Sequence, residues 1–284
     1  MVQGAIQRGH SVTLFHRGKS GADLFPEAEH VLGDRDENLD RLKGKEWDAV
    51  YDVSGYTPRA VREAADSLKG RAARYFFVST FAVFTTDPAD GTVTESSAVR
   101  PWPAHRDPDE PQDRIDQETY GPLKVLCEQE VATRFDDYVH IRPSIIAGPH
   151  DPTGRFTKWV ELAASAEKLQ VSASPGLNVR LTDVRDLAEF SLGLLDTDFR
   201  GPVNLSGPLP SANLGEMWQA VQAGVGRQIP VDWEVEGAEA LPLTNAWAER
   251  PADFALAQSL GFRSRPLNET AEATLRWVEA SANA

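Results

Sequence analysis

The chain has 284 residues, 41% of them apolar, and carries a net charge of −14 from 29 basic and 43 acidic side chains. That apolar share supports a sizeable core and excludes a disordered chain, while the acidic balance repels phosphate backbones, so no nonspecific binding to nucleic acid or anionic membrane is expected. The lone cysteine, Cys127, excludes an internal disulfide and a cysteine-rich zinc site, and no apolar run resembles a signal peptide or membrane span, which reads as a cytoplasmic protein.

In chain order, Val12-Thr13-Leu14-Phe15 is a short β-branched and apolar run that predicts a strand, ended by His16-Arg17-Gly18-Lys19. Residues 29–32 make a weaker strand before Gly33-Asp34-Arg35-Asp36. Ala49–Val53 predicts a strand, and Pro58 to Leu68 a helix with proline in its first turn. Tyr75-Phe76-Phe77-Val78 is continuously apolar, as a strand buried on both faces requires. Residues 85–117 are rich in Pro and Asp and read as a loop excursion, either a lid or a surface insertion. A helix over 118–135 and a strand over Tyr138–Arg142 follow. Strands alternating with helices predict an α/β fold with a doubly wound parallel sheet, here over residues 1–149. From 150 to 284 the texture changes. Helices near 156–167, 185–196, 213–224 and 267–279, with short strands near 179–182 and 202–205, predict a smaller substrate lobe with some segments returning to the core. Asn213 followed by Glu216 marks a capped helix start.

Chemistry concentrates at two places. Tyr120 and Lys124 lie four apart at a helix start and so share a helix face. An ammonium there favours the ionised phenol and lowers a pKa otherwise near 10. A hydroxyl at the end of a strand, Thr80 or its neighbour Ser79, can hold a substrate oxygen beside that phenol. Such a set moves a proton as a carbonyl is made or reduced, with a nicotinamide as the hydride partner. The second place is the turn after the first predicted strand. NAD enzymes put an acid there and NADP enzymes an arginine. This chain has Arg17 and Lys19, which can meet a 2′-phosphate, so NADP is expected ahead of NAD. The six histidines are scattered without metal-ligand spacing, and no Gly-x-Ser-x-Gly supports a hydrolase.

Taken in order, Arg8–Phe15, Gly33–Asp36, Phe77–Phe84, Tyr120–Lys124, Ile141–Pro149 and Asp183–Ala188 resemble the NAD-dependent epimerase/dehydratase family of the extended short-chain dehydrogenase/reductase superfamily. The resemblance implies a Rossmann-like fold and an NAD(P)-dependent oxidoreductase or epimerase/dehydratase acting on a small hydroxyl or keto substrate, such as a sugar or sugar nucleotide. It makes Tyr120 the general acid/base, Thr80 the substrate-holding hydroxyl with Ser79 as fallback, and Lys124 the ligand of the nicotinamide ribose. Asp34 and Arg35 would line the adenine pocket, and Pro143 and Ser144 would sit near the nicotinamide. Asp183 and Asp186 are expected to brace a helix rather than touch substrate.

Two departures stand out. The family's Val-Tyr-Gly reads Val83-Phe84-Thr85 here. Family chains also open with a strand and a GxxGxxG turn, whereas this sequence opens inside the helix that follows them; Gly4, Gly9, Gly18 and Gly21 follow no strand in the right place. Either the start is assigned late and about 20 residues precede it, or the chain is a shortened paralogue. Without the turn, two or three charged hydrogen bonds of about 1.5–3 kcal/mol each are missing from the pyrophosphate site, a loss of roughly two to six decades in affinity. The expected structure has a gap in the sheet, or a foreign segment filling it, such as one from a neighbouring subunit of a homodimer. A non-catalytic binding or regulatory protein on the same fold is the competing reading. RNA binding, known among relatives, is opposed by the acidic charge.

Overall fold

The computed structural model describes residues 1–19, 21, 23–108, 115–244 and 250–282. Its elements in chain order are α1 (Val2–Gln7), β1 (Thr13–His16), β2 (Glu29–Leu32), β3 (Trp47–Asp52), α2 (Pro58–Leu68), β4 (Ala72–Val78), α3 (Tyr120–Ala132), β5 (Tyr138–Pro143), β6 (Ile145–Ala147), α4 (Thr157–Ser165), β7 (Leu169–Gln170), β8 (Asn178–Asp183), α5 (Val184–Gly193), β9 (Gly201–Leu205), β10 (Gly207–Asn213), α6 (Leu214–Val225), β11 (Val231–Asp232), α7 (Ala255–Ser259) and α8 (Leu267–Ala282). They form two compact units. The first comprises Met1–Thr85, Glu95–Arg142 and Ala188–Val203; the second comprises Thr86–Thr94, Pro143–Leu187 and Asn204–Ala284.

The first unit is built on the parallel order β3-β4-β5-β9. Strand β3 pairs with β4 in parallel, Tyr51 opposite Phe76, and β4 with β5, Phe77 opposite His140. The expected neighbourship of the strands ending near residues 53 and 78 is therefore found. Strand β4 is buried at every position but Ala73, which explains the continuously apolar run Tyr75–Val78. Helix α2 starts on Pro58, whose fixed φ suits a first turn, and buries Val61, Ala65 and Leu68 on one face. That face meets Leu42, Tyr75, Phe77, Cys127 and Val131 in one core. A late segment completes the unit. Tyr51 donates to the Ser191 carbonyl at 2.9 Å, and Arg74 donates to the carbonyls of Leu194 and Thr197 at 2.8 and 2.7 Å.

Strands β1 and β2 form a separate two-stranded parallel sheet. Two side-chain ties fix its direction. Arg35, just past β2, forks onto Asp52 at the end of β3, and Lys45, just before β3, bonds Glu29 at the start of β2. Both sheets therefore run the same way. Between them lies a cavity of about 1760 Å³, lined by every residue of β1 and of β3. This is the expected gap in the sheet.

The second unit has the order β10-β8-β6, parallel between β6 and β8 and antiparallel between β8 and β10. Its core gathers Trp159, Leu181, Leu214, Met217, Trp218 and Ala271. Asn213 caps α6 as its sequence predicts: its side chain accepts from the Glu216 N–H at 2.9 Å, and Glu216 accepts from the Asn213 N–H at 3.0 Å. Strand β10 was not anticipated, because its sequence Gly-Pro-Leu-Pro carries two prolines that cannot donate to a ladder.

Candidate active site

Strand β4 delivers Ser79 and Thr80 at its carboxyl end, and both are buried. The Ser79 N–H donates to the Ile141 carbonyl at 2.7 Å, extending the β4–β5 pairing. Thr80 caps the short turn Phe81–Val83, its Oγ1 accepting from the Ala82 N–H at 3.2 Å. On the other side, Asp116 and Thr119 prepare the start of α3. Asp116 accepts from the Thr119 N–H at 2.9 Å and from its hydroxyl at 2.8 Å, bonds that hold the carboxyl below its ordinary pKa. Tyr120, half-buried, is the first residue of the helix.

Gly121 sets how closely the two pieces approach. A Cβ there would stand 2.1 Å from the Ala82 carbonyl oxygen, so only glycine lets the first turn of α3 rest on the turn that Thr80 caps. One helical turn on, Lys124 is 3% exposed. Its Nζ donates to the carbonyls of Gly55 and Val78, both at 2.7 Å, and lies 4.1 Å from the Phe77 ring centroid. Burial lowers its pKa to about 8. The same burial raises the Cys127 thiol to about 12, which leaves it an inert core residue.

Behind this helix face sits a buried charge pair. Arg142 donates to Glu128 through Nε at 2.8 Å and Nη2 at 2.6 Å, and its Nη1 reaches the Glu95 carbonyl at 3.3 Å. Burial, the largest effect, would raise the Glu128 pKa, but the Arg142 hydrogen bonds and the charges of His140 and Arg142 together lower it. His140 lies 3.7 Å from Glu128, and burial drives its pKa down to about 4. Phe84, at the family's tyrosine position, is fully buried with the Arg142 guanidinium 5.1 Å from its ring centroid. The aromatic ring is kept as packing and the hydroxyl is not.

Arg17, Lys19, Asp34 and Arg35 all follow carboxyl ends of β1 or β2 and all line the cavity of the first unit. Arg17 is exposed, with one guanidinium nitrogen 3.9 Å from Asp34. Arg35 is committed within the protein. It forks onto Asp52 at 2.8 and 2.9 Å and reaches Ser54 Oγ at 3.1 Å and the Ala60 carbonyl at 3.2 Å. Asp52 also accepts from the Tyr75 hydroxyl at 2.9 Å and the Ser54 N–H at 3.1 Å. Burial, the largest effect, opposes its charge, yet the Arg35 fork with the Ser54 N–H and the Tyr75 hydroxyl together lower its pKa. Sequence reading passed over Asp52 and Gly55, which together shape the turn after β3 that grips Lys124; their only sequence signal was their place after an apolar strand.

Pro143 and Ser144 belong to the second unit. Ser144 is buried, its hydroxyl 2.9 Å from Thr182 Oγ1 and its N–H on the Leu205 carbonyl at 2.8 Å. Asp183 accepts from Arg185 Nη2 at 2.7 Å and Thr270 Oγ1 at 2.8 Å, and Asp186 accepts from the Arg265 N–H at 2.8 Å. Both acids brace α5 against the region of α8. Among the described residues no group of His, Cys, Asp and Glu could hold a metal, and no helix is long and apolar enough to cross a membrane.

No protein-family model matches the chain. A curated relative, the chloroplast stem-loop binding protein of 41 kDa b from Arabidopsis thaliana, is 25% identical over 223 residues, covering 71% of this chain and 53% of its own length. The chain thus spans about half the length of that relative. Among solved structures, MoeE5 in complex with UDP-glucose and NAD superposes with a TM-score of 0.71 at 18% identity, covering 99% of this chain and 94% of that one. UDP-glucuronic acid 4-epimerase from Bacillus cereus, in complex with UDP-glucuronic acid and NAD, superposes with a TM-score of 0.73 at 14% identity, covering 98% and 94%. With its parallel strands and these neighbours, the chain shares the Rossmann-like α/β fold of these solved structures.

Proposed function

We propose that the chain is an NAD(P)-dependent oxidoreductase or epimerase/dehydratase acting on a hydroxyl or keto group of a small substrate, with a sugar nucleotide as the first candidate. The observation that carries this reading is the seating of α3 on the Thr80 turn through Gly121, with Lys124 buried on the same helix. Tyr120 takes the proton from a substrate hydroxyl on oxidation and returns it on reduction. Thr80, with Ser79 beside it, holds the substrate oxygen. An ammonium has three donors; two of those of Lys124 meet carbonyls, leaving one for a ribose hydroxyl. Its buried charge favours the ionised phenol.

The cavity rim suits the adenosine end of a dinucleotide. Arg17 and Lys19 are exposed there and supply positive charge for a 2′-phosphate, which favours NADP. Neighbouring structures carry NAD. Arg35, held by Asp52, shapes the rim, and Asp34 shares the Arg17 charge. A bound nicotinamide supplies the redox equivalent. The sugar-nucleotide assignment rests on the UDP-sugars bound by MoeE5 and the Bacillus epimerase.

The test is a fluorescence titration of the full chain with NADPH and NADH, followed by turnover assays on UDP-glucose and UDP-glucuronic acid. Tyr120→Phe should abolish most turnover and leave cofactor affinity unchanged; a fully active Tyr120→Phe protein would assign the proton to another group. The second reading is a non-catalytic binding protein, which the stem-loop binding relative favours. Binding of stem-loop RNA that weakens steeply with salt, with no response to either nucleotide, would select it.

A further inference from the structure

We propose that Arg100 is a positioning residue for the proton transfer: its guanidinium holds the segment before Tyr120 to the Thr80 turn by bonding the carbonyl that Pro122 leaves without a backbone donor. This rests on the proton-transfer reading of Tyr120 and Thr80.

The sequence Tyr120-Gly121-Pro122 puts a proline in the first turn of α3. The helical ladder begins just ahead of it. The Tyr120 N–H donates to the Asp116 carbonyl at 2.9 Å, and the Leu123 N–H donates to the Thr119 carbonyl at 2.8 Å. Within that series residue 122 would donate to the Glu118 carbonyl, but proline has no N–H to give. A backbone carbonyl in a folded chain needs a partner. Arg100 is that partner. Its Nη2 donates to the Glu118 carbonyl at 3.0 Å, and both terminal nitrogens reach the Gln117 carbonyl at 3.4 Å.

The backbone of Arg100 is fixed to the Thr80 turn. Its N–H donates to the Val83 carbonyl at 2.7 Å, and Val99 forms an antiparallel bridge with Phe84. Val83 and Phe84 are buried, so this end is rooted in the core. All of these residues belong to the first unit. A Cβ on Gly121 would lie 2.9 Å from Arg100 Nη1 as well as 2.1 Å from the Ala82 carbonyl oxygen, so the guanidinium and the turn close on the same glycine. Tyr120 thus stands between two tethered points, Glu118 held through Arg100 and Gly121 held by direct contact. Arg106 is the contrast. It follows in the same segment but meets carboxylates, Asp116 at 3.4 Å and Glu118 at 3.3 Å, in part-exposed pairs of the kind that contribute little. The planar fork of Arg100 spans two carbonyls, which the point charge of a lysine does not reproduce.

The experiment uses the full chain, with UDP-glucose and UDP-glucuronic acid as substrates and NADPH and NADH as nucleotides. Hydrogen exchange over residues 115–123 is followed by mass spectrometry. Arg100→Ala should lower kcat by about tenfold to a hundredfold, the scale of an ångström of displacement, with KM and nucleotide affinity held within about twofold. It should also speed exchange in that segment by about tenfold, the scale of one net hydrogen bond. Adding Pro122→Ala returns an N–H to the Glu118 carbonyl and should restore much of both; a general loosening of the fold would not be repaired by that one donor. Arg106→Ala should change neither by more than about twofold. If Arg100→Ala does not fold, Arg100→Lys takes its place, with a smaller loss of both. Wild-type kcat in Arg100→Ala, an equal loss in Arg106→Ala, or no recovery from Pro122→Ala would overturn the proposal. If the wild type turns over neither substrate, the sugar-nucleotide reading falls and exchange alone decides Arg100. Faster exchange reversed by Pro122→Ala then upholds the clamp, and unchanged exchange overturns it.

Discussion

Gly121 packs against the carbonyl oxygen of Ala82 at a distance that admits no side chain: a Cβ on Gly121 would lie 2.1 Å from that oxygen. This one contact couples the start of the Tyr120 helix to the turn capped by Thr80.

Gly121→Ala should therefore push the helix start off the turn. Overpacking of this kind costs about 1–3 kcal/mol. Displacement of Tyr120 by as little as an ångström should cost turnover on the order of a hundredfold. Denaturant melts and kinetics on the same preparation check this. Unchanged turnover with lowered stability would separate Gly121 from the chemistry.

Lys124 makes stability depend on pH in the alkaline range. Burial lowers its pKa from 10.5 to about 8. Between those values the unfolded chain binds more protons than the folded one, so stability rises with pH. Below pH 8 the lysine is charged in both states and the full penalty, roughly 3 kcal/mol, is present. The chain should gain stability from pH 8 toward 10.5 relative to Lys124→Met, measured by urea unfolding. Parallel profiles for the two proteins would show that this ammonium is not desolvated.

Glu128→Gln should destabilise by about 3–5 kcal/mol, because it leaves the buried Arg142 guanidinium without its anion. Replacing Glu128 and Arg142 together by apolar residues of similar size should recover much of that loss. Double-mutant unfolding measurements test the coupling.

Arg17→Ala should weaken NADPH binding by about tenfold to a hundredfold and leave NADH nearly unchanged, the scale of one charge-assisted hydrogen bond. Calorimetry on both nucleotides decides it. Equal losses would move Arg17 from the 2′-phosphate to a feature both cofactors share.

The helices and the central strands were legible because their signals are local. Pro58 and the apolar spacing after it give α2, and Asn213 with Glu216 gives the start of α6. Partnerships distant in sequence were not legible. Nothing in the sequence says that Arg35 is occupied by Asp52, or that Phe84 lies beside the Arg142 guanidinium. Strand β10 was hidden by its own prolines. A residue type announces what it can bond, and only the fold decides which bond it makes.

The anchoring of Tyr51 and Arg74 to carbonyls between Ser191 and Thr197 also sets a timetable for synthesis. The Tyr51 bond spans 140 residues. At translation speeds of about 5–20 residues per second, β3 and β4 wait roughly 7–28 s for that segment to leave the ribosome. Through that interval the nascent chain exposes apolar strands whose final partners do not yet exist. The first unit, begun at Met1, is thus complete only once Val203 has been made.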